Sequence, residues 1–145
     1  MLFREPERGS SLAWTAIFLA VVILPLMTLI GDGVRLYYVR SRIFQAADAA
    51  CEDVSWSVSS RTAWQWMKDD RYDSNWKLVK QAQTTFSQML AETGAVKYTP
   101  SITLSLDIEN ARAECQAQAR VPLMTMPQEV TIRVTAYSKM RFAQP

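Results

Sequence analysis

At 145 residues the chain has room for one membrane segment plus one domain of about 110 residues, and none for a second domain. Sixteen Lys and Arg against fourteen Asp and Glu leave a net charge of +2, too balanced for a polyanion-binding surface, so nucleic acid is not expected as a partner. Histidine is absent, which removes the commonest neutral-pH general base and the commonest metal ligand and argues against an enzyme.

Residues 1–11 form a short tail carrying Arg4 and Arg8. From Leu12 to Ile30 no residue is charged, and as a helix this run would span roughly 28 Å, close to the hydrocarbon thickness of a bilayer. A helix satisfies its own backbone in lipid, whereas a lone strand does not, so residues 12–31 read as a transmembrane helix. The competing reading is a core helix of a soluble protein. That would carry a polar face, and only Thr15 and Thr28 interrupt this run. Pro25 lacks an amide donor and is expected to kink the helix. A cleaved secretory peptide has a shorter apolar core followed by a small-residue cleavage site, so the segment reads as an anchor. Basic residues flank it almost evenly, Arg4 and Arg8 before it and Arg35, Arg40 and Arg42 after it, so charge alone does not orient it.

Beyond Gly31, Asp32 and Gly33 the helical period resumes. Val34, Tyr37 or Tyr38, Ile43, Ala47, Cys51, Val54 and Val58 recur at three- and four-residue steps, with a slip near Arg40, while Arg35, Arg42, Asp48, Glu52 and Asp53 fall largely elsewhere. One long helix thus leaves the membrane and becomes the spine of a domain over residues 32–145, with the two glycines permitting a bend and Tyr37 and Tyr38 placed among head groups. The alanines Ala46, Ala47, Ala49 and Ala50 either let another backbone approach closely or simply favour a helix.

Trp56, Trp64, Trp66, Tyr72 and Trp76 crowd the next stretch around a polar run from Lys68 to Arg71, where a turn is expected. Such a cluster either closes one end of a core or holds a sugar or protein partner. Asp69, Asp70 and Asp73 miss the calcium-loop order, with Arg71 intruding and no glycine at the turn, so no metal site is expected. Asp73 or Ser74 then caps a second helix with Trp76, Val79, Ala82, Phe86 and Met89 or Leu90 on one face, stopped at Gly94.

The remainder changes to a period of two. Ile102, Leu104, Leu106 and Ile108 form one strand, Ala113, Cys115, Ala117, Ala119 and Val121 a second, and Val130, Ile132, Val134 and Ala136 a third, all alternating with polar residues. Short links make these a three-stranded antiparallel meander with one face buried, its small middle strand leaving room for a helix, and the fold class is α+β. Cys51 and Cys115 are predicted to point into the same interior. A bridge between them would close a loop of about 64 residues worth about 4 kcal/mol on the chain-entropy model, and two buried thiols are the alternative. No phosphate loop, glycine fingerprint, metal-ligand spacing or nucleophile elbow occurs, and no cofactor is expected.

The segment Glu7-Arg8-Gly9-Ser10, Pro25 within the apolar run, Asp32-Gly33-Val34-Arg35-Leu36-Tyr37-Tyr38, and Arg40 through Ala50 together resemble the TadE/TadG-like family of tight-adherence (Flp, type IVb-like) pilus proteins. The likeness is strong over residues 7–50. Farther on it is confined to Val121-Pro122-Leu123 and the alternating strand that follows. The resemblance implies a pilin-like minor pilin or pseudopilin of a secretion-related apparatus, held in the bacterial inner membrane with its tail in the cytoplasm and its domain outside. It also implies other pilin subunits and an inner-membrane assembly platform as partners. Type IV prepilins are cut after a glycine before the apolar helix, the place of Gly9 and Ser10 here, but their usual glutamate five residues on is replaced by Trp14. The expected helix-packing positions are Val34, Tyr37, Ala46, Ala47 and Ala50. The alternative function is a membrane-tethered binding module that uses Trp56, Trp64, Trp66 and Trp76.

Overall fold

The computed structural model describes residues 8–58, 75–107 and 110–140, with side chains described from residue 11 onward except that of Asn75. Trp64, Trp66, the expected turn from Lys68 to Arg71 with Asp69 and Asp70, Tyr72, Asp73, Ser74 and Ile108 lie outside the described residues, as does the Ser10 side chain.

Helix α1 (Arg8–Phe18), a π-helical turn (Leu19–Ile23) and α2 (Leu24–Ser57) run end to end. The π turn is marked by the Leu24 amide donating to the Leu19 carbonyl five residues back, immediately before Pro25 in the first turn of α2. The expected disturbance at Pro25 thus takes the form of a widened turn. It lies where the proline ring would otherwise crowd the preceding carbonyls. The hydroxyls in this apolar run are satisfied by their own helix, Thr15 donating to the Ser11 carbonyl and Thr28 to the Pro25 carbonyl, each at 2.8 Å. Among the described residues, no part of the domain covers the run. Leu12, Trp14, Val21 and Met27 are 63–73% exposed, which is unlike a soluble core helix. By length and composition the helix is able to cross a bilayer once.

The α2 helix continues through Gly31 and Gly33 as one element. Its upper half packs on the sheet and against α3 (Asn75–Thr93), burying Val39, Ile43, Ala46, Ala47, Ala50, Cys51, Val54 and Val58 at three- and four-residue steps. Below the slip the buried face differs from the expected one. Asp32 and Val39 are buried and Leu36 packs against the core, whereas Val34, Tyr37 and Tyr38 are exposed. Shifting the stripe by two positions turns the tyrosines outward.

On α3 the residues Ala82, Phe86 and Leu90 are buried, with Leu78 and Met89 packed beside them. Trp76 departs from the expected face and is exposed, in the first turn, where Lys80 sits over its ring. Gly94 ends the helix in the left-handed region at φ 67°, a conformation that costs glycine no steric penalty, and a short 3-10 turn, Ala95–Tyr98, follows.

Strands β1 (Ser101–Asp107), β2 (Arg112–Pro122) and β3 (Glu129–Lys139) pair antiparallel in the order β1-β2-β3. The register sets Leu104 opposite Cys115 and Cys115 opposite Ala136, with Ile102, Ala117 and Val134 forming the next inward row. Every inward residue of β2, from Ala113 to Val121, is buried and its neighbours face outward. Ala113, Cys115, Ala117 and Ala119 are small where Ala46, Ala47 and Ala50 are small, so helix and sheet approach closely. Larger side chains such as Ile43, Phe86, Leu90 and Val134 complete the core, each worth about 1.5–3 kcal/mol when fully buried.

Candidate functional site

Two features of α2 set the chemistry of this molecule: the side chains its buried face fixes, and those its free face leaves available. On the buried face, Asp32 is 4% exposed although it carries a charge. One carboxylate oxygen accepts from the Met124 amide at 2.9 Å, and the other accepts from the Thr125 amide at 3.0 Å and the Thr125 hydroxyl at 2.7 Å. The Thr125 hydroxyl and the Met124 amide hold the carboxyl below the usual carboxylate range, with the Arg35 charge adding to the effect. These bonds fasten the turn between β2 and β3 to the helix two residues beyond Ile30. Sequence reasoning missed this role. The available signal was a lone carboxylate between two glycines at the edge of an uncharged run.

Further polar contacts hold the rest of the domain to α2. Arg35 Nε donates to the Tyr98 hydroxyl at 3.2 Å. Asp53 accepts from Gln81 at 2.9 Å and from Thr85 at 2.8 Å, tying α3 to α2, and Ser138 donates to Ser55 at 2.9 Å from β3. No buried side-chain polar atom lacks a partner among the described residues.

Cys51 and Cys115 meet in the core as free thiols with no exposed surface. The Cys51 sulfur donates to the Ala113 carbonyl at 3.3 Å and approaches the Ala136 carbonyl at 3.7 Å. A hydrogen bond to Cys51 that only the protonated Cys115 can donate, and then burial, push the Cys115 thiol far above the ordinary thiol range. Ala46, Ala47 and Ala50 pack within the chain, whereas Val34 and Tyr37 are on the free face of α2. Trp56 is exposed near the end of α2, its indole nitrogen 3.5 Å from Glu52, and Trp76 is exposed at the start of α3.

The free face of α2 carries Val34, Tyr37, Tyr38 and Phe44 at 45–77% exposure, extending the uncovered surface of the apolar run upward. Beside it a surface cleft of about 510 Å³ is lined by Tyr37, Arg40, Phe44, Arg133 and Thr135. A second, more apolar cleft of about 490 Å³ lies between α3 and β1, against Phe86, Leu90, Val96 and Ile102. Among the described residues no three His, Cys, Asp or Glu side chains converge as metal ligands. The described residues offer exposed apolar packing surfaces on α2 and beside β1.

A protein-family model described as "Putative Flp pilus-assembly TadE/G-like" matches residues 9–52, which is under a third of the chain but takes in the whole apolar run and most of α2. The matched segment takes in both the exposed apolar run and the part of α2 from Asp32 to Cys51 whose one face is buried in the domain. No curated protein and no solved structure matches the chain.

Proposed function

We propose that the chain is a minor pilin- or pseudopilin-like structural subunit of a bacterial tight-adherence (Flp) pilus apparatus. Residues 12–31 anchor it in the inner membrane, residues 1–11 stay in the cytoplasm and the domain 32–145 stands outside. The observation that carries this reading is the coincidence of the family match over residues 9–52 with the uncovered apolar surface of the same helix. Apolar side chains on the free face of α2 continue that surface out of the membrane, as helix-to-helix assembly with other pilin subunits requires. The exposed Trp56 and Trp76 favour a second reading, a tethered module that holds a glycan or protein partner through its aromatic segment.

Pilus assembly in the native host separates the two. Val34→Asp and Tyr37→Asp on the exposed helix face should abolish surface pili while Trp56→Ala and Trp76→Ala leave them intact. The reverse pattern removes the structural reading. Mass spectrometry of the membrane-extracted chain tests processing at Gly9, because a product starting at Ser10 places it among cleaved pilins and an intact Met1 end excludes that.

A further inference from the structure

The polar contacts along α2 define which end of the domain faces the bilayer. Ser138 meets Ser55, and Cys51 meets the Ala113 carbonyl, so β2 starts and β3 finishes near the far end of α2. The turn joining these strands lies at the other end, fastened to Asp32. Helix α3 and the 3-10 turn after it run from Gln81 and Thr85 beside Asp53 down to Tyr98 beside Arg35. The β2–β3 turn and the Ala95–Tyr98 turn therefore flank the helix on the side of its apolar run.

Depth follows from the helical rise. Asp32 stands two residues past Ile30, about 3 Å along the axis, and a helical Cα–Cβ bond leans toward the N-terminus, here toward the membrane. Head groups add roughly 5–8 Å to each side of the hydrocarbon core, so the turn held by Asp32 falls within that layer. Its composition suits that position. From Val121 to Pro127 no residue is charged, and Met124 is 75% and Met126 51% exposed, with Val96 at 53% on the neighbouring turn. Lys97 and Arg35, which both lie against the Tyr98 ring at 5.1 and 5.5 Å, supply cations at the same height.

We propose that the Leu123–Pro127 turn is a second membrane contact, with Met124 and Met126 entering the head-group and upper acyl layer beside the helix, and with Val96 and Lys97 touching the surface next to them. The helix and this turn make two points of attachment, which fix how the domain is oriented on the bilayer and which face of α2 it turns to neighbours. Flexible thioether side chains fit a fluid lipid surface, and each apolar group removed from water there is favourable in proportion to its area. This inference rests on the reading that residues 12–31 span the bilayer.

The test uses the full chain in vesicles of phosphatidylethanolamine and phosphatidylglycerol, with an environment-sensitive fluorophore on Met124→Cys, on Val21→Cys within the apolar run, or on Asn110→Cys at the far end. Buried Cys51 and Cys115 leave the unsubstituted chain as the labelling blank. The expected result is strong quenching of the Val21→Cys label by tail-labelled lipid and a blue shift of the Met124→Cys label. That second label should also be quenched severalfold more than Asn110→Cys by lipid carrying its quencher close to the head group. The inference is overturned if Met124→Cys behaves like Asn110→Cys while Val21→Cys remains quenched. It is equally overturned by a blue shift without lipid quenching, which would assign the turn to a protein neighbour. Loss of quenching at Val21→Cys would instead remove the membrane reading itself.

Discussion

Asp32 and Thr125 are 93 positions apart and are joined by two hydrogen bonds, the Thr125 hydroxyl at 2.7 Å and its amide at 3.0 Å, both to the same carboxylate oxygen. This pairing makes the charge at the end of the apolar run the fastening point for the sheet. An ionised carboxylate accepts all three donors of the turn, whereas the protonated form gives up part of that capacity.

Asp32 should therefore impose a pH dependence of known sign. Its folded pKa is lowered from 3.8, so the stability it contributes is fully present above that value and is lost as pH falls through the lower folded value. Asp32→Asn should melt below the unsubstituted chain at pH 7, with the gap narrowing as pH drops from 4 toward 2. Thermal denaturation in detergent micelles across that range measures it, and a gap independent of pH would refute the role.

The close approach of α2 to the sheet depends on alanine at both surfaces. Ala47 has no exposed surface and Ala117 is 2% exposed. Ala47→Leu or Ala117→Leu should each cost about 1–3 kcal/mol through overpacking, read as a lower urea midpoint. Ala49→Leu, half-buried on the same helix, should cost less, so equal losses at all three positions would argue against a tight helix-to-sheet seam.

Asp53 ties α3 to α2 through two side chains of the same neighbouring helix. Asp53→Ala should lower stability by about 1–3 kcal/mol, because Gln81 and Thr85 both lose an acceptor in a half-buried position. Hydrogen exchange should then quicken in α3 before it does in β2, and uniform quickening would mean that the contact is not local.

A bridge between Cys51 and Cys115 is expected when the domain is exported to an oxidising compartment, since the structure sets the two thiols against each other in the core. Alkylation of chain denatured straight from membranes, followed by mass spectrometry, should find neither cysteine modified unless reductant is added. Two alkylated cysteines without reductant would establish the dithiol. The bridge would add about 4 kcal/mol on the chain-entropy model, less any strain, so reductant should lower the melting temperature of the oxidised form.

Periodicity alone determined most of the elements. Nineteen uncharged residues from Leu12 to Ile30 are long and apolar enough for a helix that could cross a bilayer, Gly94 offers a left-handed stop, and the alternation from Ala113 to Val121 leaves β2 one choice of inward face. These signals are local, each being a repeat within one element, and so they survive without knowledge of partners. The lower half of α2 was different. Near Arg40 two apolar stripes compete, and only the position of the β2–β3 turn decides that Asp32, Leu36 and Val39 face inward while Val34 and Tyr37 do not. A buried carboxylate is stable only where donors from elsewhere converge on it, and the Met124 and Thr125 amides reach Asp32 solely because the meander returns to the base of the helix. That convergence belongs to the tertiary arrangement, since no pattern within one segment encodes the distance to another.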